Sequence, residues 1–521
     1  MSLNRRNFLP LGFLFLLAGS ICAEEKAKAV PPNTDQPDYL AVVRGYADAM
    51  VNQASGKYGE MKAPLFASCL DCKTLYFLTE NTSAPKGVRG EDRVIRTGSN
   101  PQHDQALYLL LYELTRITGE KRYAQAADTS LKWFLTHAQS RKTGLYAWGE
   151  HMCWDIPANT WYCGRRDKAN GIHELGDVWR LMDRSYQLAP ENCMRFGLGL
   201  WEHQIGNHET GDFNRHAGYL EHEPGGREDY QRHAGFFIRA WADLYALTKD
   251  ERFLQPIDVV LGHYERKRDP TTGIVPGGAS VRGKDGAAFS STLSSFKLAI
   301  SCAESVPKVP EPLAGRLRAF AAREDEAFLR LPHFSTGSSP TTAGVPARGF
   351  LLRANAKDGK PWPPLDPDPD RPLSQGAFSS AWRTGYGSPT SADAAVECIE
   401  RYRQTRNRGY RDLILKAAQS YMTGEMDTET YDVWPAVPAN VIHVMIAAYR
   451  ETGDRKYLGR AEYLGAQAVR LFWDDGPLPR ASTRCAHYET ITGGPDLALA
   501  LLDLHETFAS TVSSKGAEKE K

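Results

Sequence analysis

Four short stretches of this chain share one pattern. Thr118-Gly119-Glu120-Lys121-Arg122-Tyr123, Thr248-Lys249-Asp250-Glu251-Arg252-Phe253, Thr405-Arg406-Asn407-Arg408-Gly409-Tyr410 and Thr452-Gly453-Asp454-Arg455-Lys456-Tyr457 each start on threonine and end on an aromatic ring. Each follows one helical apolar pattern and opens another. In the first, Leu107, Leu110, Leu111 and Leu114 recur at i, i+3, i+4 and i+7 and make one apolar stripe. Gly119 suits the left-handed position that ends a helix. Tyr123, Ala126, Ala127 and Trp133-Phe134 then begin a return helix. Similar stripes occupy Phe236–Leu247, Ala394–Arg403, Val441–Tyr449 and Leu497–Leu504. Repeated helical hairpins bury their stripes only against neighbouring hairpins. A closed array needs no capping repeats and leaves a central funnel. The expected fold is therefore all-α, an (α/α)n toroid of six or seven helical hairpins in one domain, with little strand signal anywhere.

Gly/aromatic/Pro segments follow several hairpins: 143–148, 272–276 and 433–435. They read as loops at one end of the toroid, where function tends to sit. The toroid is assigned to residues 37–510, with a Pro/Asp-rich surface insertion at 355–375. Residues 24–36 and 511–521 read as flexible tails. Residues 1–23 read as an export signal: Arg5-Arg6, an apolar run from Phe8 to Leu17, and small residues at Ala18, Ser20 and Ala23. The adjacent arginines followed by Phe8-Leu9 resemble a twin-arginine signal, and an ordinary secretory signal is the alternative. The run is too short to span a bilayer. A periplasmic or secreted location without stable membrane insertion follows.

The chain holds 63 Lys+Arg against 63 Asp+Glu, so it lacks the basic footprint that nucleic-acid binding requires. An acidic ligand would have to meet local positive charge. Cys69-x-x-Cys72 has no second pair to make a zinc site, and a Cys153–Cys163 disulfide is permitted by export without being assigned.

Chemistry concentrates between Trp148 and Tyr219. Trp148-Gly-Glu-His151, Ile172-His-Glu-Leu175 and Phe213-Asn-Arg-His-Ala-Gly-Tyr219 lie too far apart for one helix and meet only if the chain returns to one place. Taken singly, each of the 14 histidines is an ordinary core or surface residue, but five fall between His203 and His233. Imidazole and carboxylate together suit a divalent transition ion. The His-Glu-x-x-His pattern of zinc proteases is absent.

The order Gly149-x-His151, His173-Glu174-Leu175, then Arg215-His216 followed by Gly218-Tyr219 resembles family 2 polysaccharide lyases, the metal-dependent pectate lyases. Gly199-Leu-Trp-Glu-His203, Asp212–His216 and His487–Gly494 look related. The resemblance implies a helical toroid with one cation held by His151, Glu174 and His216. Mn2+ is the first choice, with Fe2+, Co2+, Ni2+ or Zn2+ as alternatives. It also implies Arg215 as the base. The substrate would be an acidic polysaccharide, with pectate the first choice among polyuronates. The C5 hydrogen of a uronate is alpha to a carboxylate, and a Lewis-acidic cation on that carboxylate neutralises the charge that develops on deprotonation. Arginine is normally protonated, so an adjacent cation or a dry site must favour its neutral form.

His103, Trp148, Trp154, Arg165, Trp201, Tyr219, His222, Arg227 and Glu489 are further candidates for contact with substrate. The arginines would pair uronate carboxylates and the tryptophans would stack sugars; each has a plain structural alternative. Two rival functions remain open on sequence grounds. One is a glycoside hydrolase using paired carboxylates, Glu150 with Asp155 or Glu202. The other is a non-catalytic periplasmic glycan-binding protein.

Overall fold

A computed structural model describes residues 37–78, 82–88, 96–164, 169–222, 229–277, 289–334, 349–362, 377–383 and 389–519, with side chains described to residue 511. Its helices are α1 (Tyr39–Gln53), α2 (Gln105–Thr118), α3 (Lys121–His137), α4 (Met182–Leu188), α5 (Pro190–Gly199), α6 (Gln231–Thr248), α7 (Leu254–Lys267), α8 (Thr292–Ser305), α9 (Leu313–Arg330), α10 (Ser391–Thr405), α11 (Arg408–Ser420), α12 (Ala436–Thr452), α13 (Arg455–Phe472) and α14 (Gly494–Lys519). Even-numbered helices form an inner ring. α6 packs on α8, α8 on α10, α10 on α12, α12 on α14, and α14 returns to α2; short α4 joins α3 to α6. Odd-numbered helices lie outside, with α1 against α14, so the two ends of the described chain supply the seventh pair. The fold is an all-α toroid of seven helical pairs.

Burial patterns separate the two layers. Outer helix α13 buries one stripe: Tyr457, Leu458, Ala461, Leu464, Gly465, Ala468 and Phe472. Inner helix α6 buries every residue from Gln231 to Leu244 except Arg232 and Arg239. A helix enclosed by neighbours on several sides has to be apolar on several sides. Its few polar groups link neighbours, as in Arg239–Glu304 between α6 and α8, and Lys297–Glu397 at 3.2 Å between α8 and α10.

The repeated phrase builds one corner four times. Thr118, Thr248, Thr405 and Thr452 donate their hydroxyls to the carbonyls of Leu114, Leu244, Arg401 and Ala448, at 2.6–2.9 Å. The same hydroxyls accept the backbone N–H two residues on, at 3.1–3.2 Å. The next residue is left-handed in every copy: Gly119, Lys249, Arg406 and Gly453, with φ of 77°, 59°, 55° and 71°. The N–H of that residue caps the carbonyl four residues back. The closing ring, Tyr123, Phe253, Tyr410 or Tyr457, is buried. A side chain in the left-handed region costs about 1–2 kcal/mol. Lys249→Gly and Arg406→Gly should therefore each stabilise the protein by about 0.5–1 kcal/mol after glycine's own entropy is counted. Urea-denaturation midpoints would measure this. A lower midpoint would mean that the cations stacked on Tyr245 and Tyr402, 5.3 and 5.4 Å from the ring centres, outweigh the backbone strain.

These corners join inner to outer helices and so sit at one end of the ring. The outer-to-inner connections share the other end and carry all the described strands: β1 (Cys69–Asp71), β2 (Gly98–Ser99), β3 (Met152–Asp155), β4 (Thr160–Cys163), β5 (Ile172–His173), β6 (Ala217–Gly218), β7 (Phe289–Ser291), β8 (Arg353–Asn355) and β9 (His487–Glu489). They pair as β1–β9, β2–β3–β4, β5–β6 and β7–β8, all antiparallel. The low strand expectation is corrected here. Strands of two to four residues are too short to leave an alternating pattern in the sequence.

Other expectations meet the structure unevenly. α14 continues as helix to Lys519, where a flexible tail was expected from 511. Residues 1–36, and with them the export signal and first tail, lie outside the described residues, as do 363–375 of the insertion. The chain from Pro37 onward forms one compact unit. The β3–β4 register sets Cys153 opposite Tyr162 and Cys163 opposite Met152, so the two sulfurs lie on opposite faces and form no disulfide. Among the described residues, no helix is long and apolar enough to cross a membrane.

Candidate metal centre

Three strand ends meet on the loop-bearing end of the ring. β5 pairs with β6 so that Ile172 faces Gly218 and His173 faces Ala217, and the next pair in that register is Glu174 and His216. A parallel bridge joins Gly149 to Glu174, and the Glu150 N–H donates to the Glu174 carbonyl at 3.1 Å. His151 is thereby brought beside Glu174. Gly149 makes this approach feasible. Its φ is +104°, and a Cβ there would fall 1.8 Å from the Glu174 carbonyl oxygen. On its other side Asn100 clamps it, donating to the Gly149 carbonyl at 2.7 Å and accepting its N–H at 3.2 Å.

His151 Nε2 and His216 Nε2 lie 3.3 and 3.0 Å from Glu174 Oε2. One ligand atom from each of the three residues falls within 4.8 Å of the others, and all three residues are buried. Glu174 is fully buried. Its Oε1 is held by Arg215 Nη1 at 2.7 Å and His233 Nε2 at 2.9 Å. Burial alone would raise the Glu174 carboxyl, but the Arg215 charge and hydrogen bonds from the three imidazoles hold it well below the usual carboxylate range. Glu150 goes the other way. Burial and the Glu174 charge push it up to about 7, against the pull of Arg232 at 3.7 Å. A buried anionic oxygen facing two imidazole nitrogens is a donor set suited to a divalent transition ion.

A buried chain of polar groups sets the backbone behind the site. The Trp148 indole N–H donates to His173 Nε2 at 3.2 Å, which leaves Nδ1 to carry the proton and donate to Gln204 Oε1 at 2.8 Å. Gln204 Nε2 donates to the carbonyls of Asn214 and Arg215 at 2.9 and 3.0 Å. Gln204 ends a π-helical turn, Leu200–Gln204, a distortion frequent at functional sites. Burial pushes the His173 imidazole down to about 4, so it stays neutral in this role.

Several expected substrate contacts are corrected by burial. Trp148 is 1% exposed among Phe134, Tyr146, Trp179 and Phe196, with its N–H committed. Tyr219 is buried, and its hydroxyl donates to the Ala138 carbonyl. Trp154 is buried against Trp133 in the strand layer. None of these rings offers a face to a sugar. Trp201 is half-buried and stacked on His208 at 4.2 Å. His222 is exposed, with Nδ1 at 2.8 Å from the Glu202 carbonyl. His103 lies near His151; enclosure and that neighbour push its imidazole down to about 4. Glu489 is buried and paired with His487 at 2.9 Å, outside the three-residue group. Arg165 and Arg227 lie outside the described residues.

The structure adds residues that the motif order did not supply: Asn100, Glu150 as a neighbour of the site, Gln204, Tyr230 and His233. One signal for them was present. Asn214-Arg-His-Ala-Gly-Tyr219 is echoed by Gln231-Arg-His-Ala-Gly-Phe236. Both Arg-His pairs reach Glu174, the first through Arg215 and His216 at a strand end and the second through His233 in the first turn of α6, whose Arg232 lies on Glu150 instead. The Arg215 and Arg232 guanidiniums also flank Tyr230, 5.9 and 5.1 Å from its ring centre.

Residues 64–277, which include every group on Glu174, match the family described as periplasmic pectate lyase. The resemblance carried by the motif order is thus shown for the segment that bears it. A pectate disaccharide-lyase of Dickeya dadantii (strain 3937) is 25% identical over 156 residues, 30% of this chain and 28% of that protein. The match thus spans under a third of that curated relative. Among solved structures, an unsaturated glucuronyl hydrolase specific for heparin shares 10% identity at a TM-score of 0.46, covering 91% of this chain and 98% of the other. A D-mannose isomerase shares 9% at 0.45, covering 92% and 100%.

Proposed function

We propose that the protein is an exported, metal-dependent polysaccharide lyase that cleaves a polyuronate by β-elimination, with pectate the first substrate to test. The convergence of His151 Nε2, Glu174 Oε2 and His216 Nε2 around a point bordered by Arg215 carries this reading. The match of residues 64–277 to periplasmic pectate lyases supports it, and that description together with Arg5-Arg6 and the apolar run after it supports export. His151, Glu174 and His216 would hold the cation, Mn2+ before Fe2+, Co2+, Ni2+ or Zn2+. Once bound, the cation supplies Lewis acidity toward the uronate carboxylate and draws on the Glu174 charge that otherwise keeps Arg215 protonated.

The protein's own residues do the rest. Arg215 stands beside the ligand set on Glu174 Oε1 and takes the C5 proton in its neutral form. The C5–H electron pair becomes the C4=C5 double bond, the C4–O bond breaks, and the departing oxygen takes up a proton. Arg232, flanking Tyr230, supplies positive charge next to the reacting uronate. Arg165 and Arg227 remain candidates for the same role. The hydrolase alternative pairs Glu150 with Asp155 or Glu202; Asp155 instead accepts from the Thr97 hydroxyl and the Ala158 N–H at the far end of β3, and Glu202 is exposed beside His203.

Incubation with polygalacturonate, alginate and glycosaminoglycans should release products with the ultraviolet absorbance of a conjugated unsaturated uronide from one of these polymers. EDTA should abolish the signal and Mn2+ should restore it. Reducing ends without that absorbance would indicate hydrolysis. Full activity after rigorous metal removal would end the metal-dependent reading.

A further inference from the structure

His233 is completely buried in the first turn of α6, and the site described above gives it no chemistry. Its Nε2 stands 2.9 Å from Glu174 Oε1, the oxygen that Arg215 also holds. The two rings expected to be ligands approach the other oxygen, Oε2. A carboxylate free to rotate presents either oxygen or both. This one is gripped on one side by a guanidinium and a ring nitrogen. His233 in turn is fixed by α6, between Tyr230 and Phe236, whose ring centres are each 5.8 Å from its own.

We propose that His233 is a positioning residue: with Arg215 it fixes the Glu174 carboxylate by Oε1, so that Oε2 alone is offered to the cation between His151 and His216. The second Arg-His pair of the chain thereby sets the ligand geometry that the first pair uses. This rests on the reading that His151, Glu174 and His216 hold a cation. Orienting partners of metal ligands typically govern 10- to 100-fold in affinity.

The test uses the full chain, stripped with chelator and titrated with Mn2+ alone, free Mn2+ being followed by electron paramagnetic resonance. Co2+ absorption serves as a second readout that responds to coordination number. His233→Gln places an amide donor near the position of Nε2; His233→Asn places it too short; His233→Phe fills the space without a donor. Wild type should bind one Mn2+. His233→Asn should bind 10- to 100-fold more weakly. His233→Gln should stay within a few-fold of wild type, with an unchanged Co2+ spectrum. His233→Phe, if it folds, should resemble His233→Asn and show an altered Co2+ spectrum. If wild type binds and both His233→Gln and His233→Asn match it in affinity and spectrum, the positioning role is overturned. If wild type takes up no Mn2+, or Glu174→Gln binds as well as wild type, the ligand assignment fails instead, a separate result.

Discussion

Arg215→Ala should lower kcat on the active polyuronate by about two to four orders of magnitude, the range that a positioned general base contributes. It should do so with Mn2+ affinity staying within a few-fold of wild type. The guanidinium lies 2.7 Å from Glu174 Oε1, so its removal loosens the carboxylate but also leaves it more negative, and His233 still holds Oε1 at 2.9 Å; the two effects offset. Glu174→Gln should lose both activity and metal uptake. This split between kcat and metal affinity separates a base from a structural salt-bridge partner, whose loss would weaken the site as a whole. Arg215→Lys should recover little. An ammonium on a flexible stem cannot both hold Oε1 and present a second nitrogen to C5 as the planar guanidine can. The wild-type rate should climb with pH, because only the neutral guanidine accepts the proton and Glu174 favours the charged form. Near-normal turnover by Arg215→Ala would remove this residue from the mechanism.

Among the described glycines, Gly149→Ala should be the most damaging alanine substitution. The new Cβ would sit 1.8 Å from the Glu174 carbonyl oxygen and 2.8 Å from its carbonyl carbon, contacts that backbone alone can relieve. The position is also left-handed, which adds about 1–2 kcal/mol. Opening the Gly149–Glu174 bridge would pull His151 from Glu174 and break the hydrogen bond Gly149 accepts from Asn100 and the one it donates to it. A loss on the order of 4 kcal/mol or more in stability is expected, together with loss of Mn2+ binding. Gly119→Ala provides the control. It too is left-handed, but a Cβ there meets nothing within 4 Å, so it should cost only about 1–2 kcal/mol and leave metal binding unchanged. Thermal unfolding by circular dichroism with parallel Mn2+ titration distinguishes the two. Equal, mild effects would mean that the close approach at Gly149 is not a feature of the folded protein.

The helical scaffold was legible because its signals are local. A threonine hydroxyl that bonds four residues back and two residues forward, followed by a left-handed residue, is written within one helical turn and repeats four times. The pairs without that phrase were harder to count. α4 and α5 meet at Ala189-Pro190, α8 and α9 through a 3-10 turn at Val306–Lys308, and α1 meets α14 from the far end of the chain. The aromatic residues misled for a related reason. Trp148 and Tyr219 border the motifs in sequence, and nothing local tells a ring facing a funnel from one packed beneath it.

By itself, then, the sequence determined that the chain forms helical hairpins able to close on one another, and that His151, Glu174 and an Arg-His pair occur in an order that resembles the metal-dependent pectate lyases, a resemblance that implies a cation site. Periodicity and motif order are properties of neighbouring residues and survive without coordinates. Only the tertiary structure decided that Glu174 turns Oε2 to His151 and His216 and Oε1 to Arg215 and His233. That division depends on the β5–β6 register, on the Gly149 bridge and on where α6 begins. Each of these is a contact between segments distant in sequence, set by packing of the whole ring.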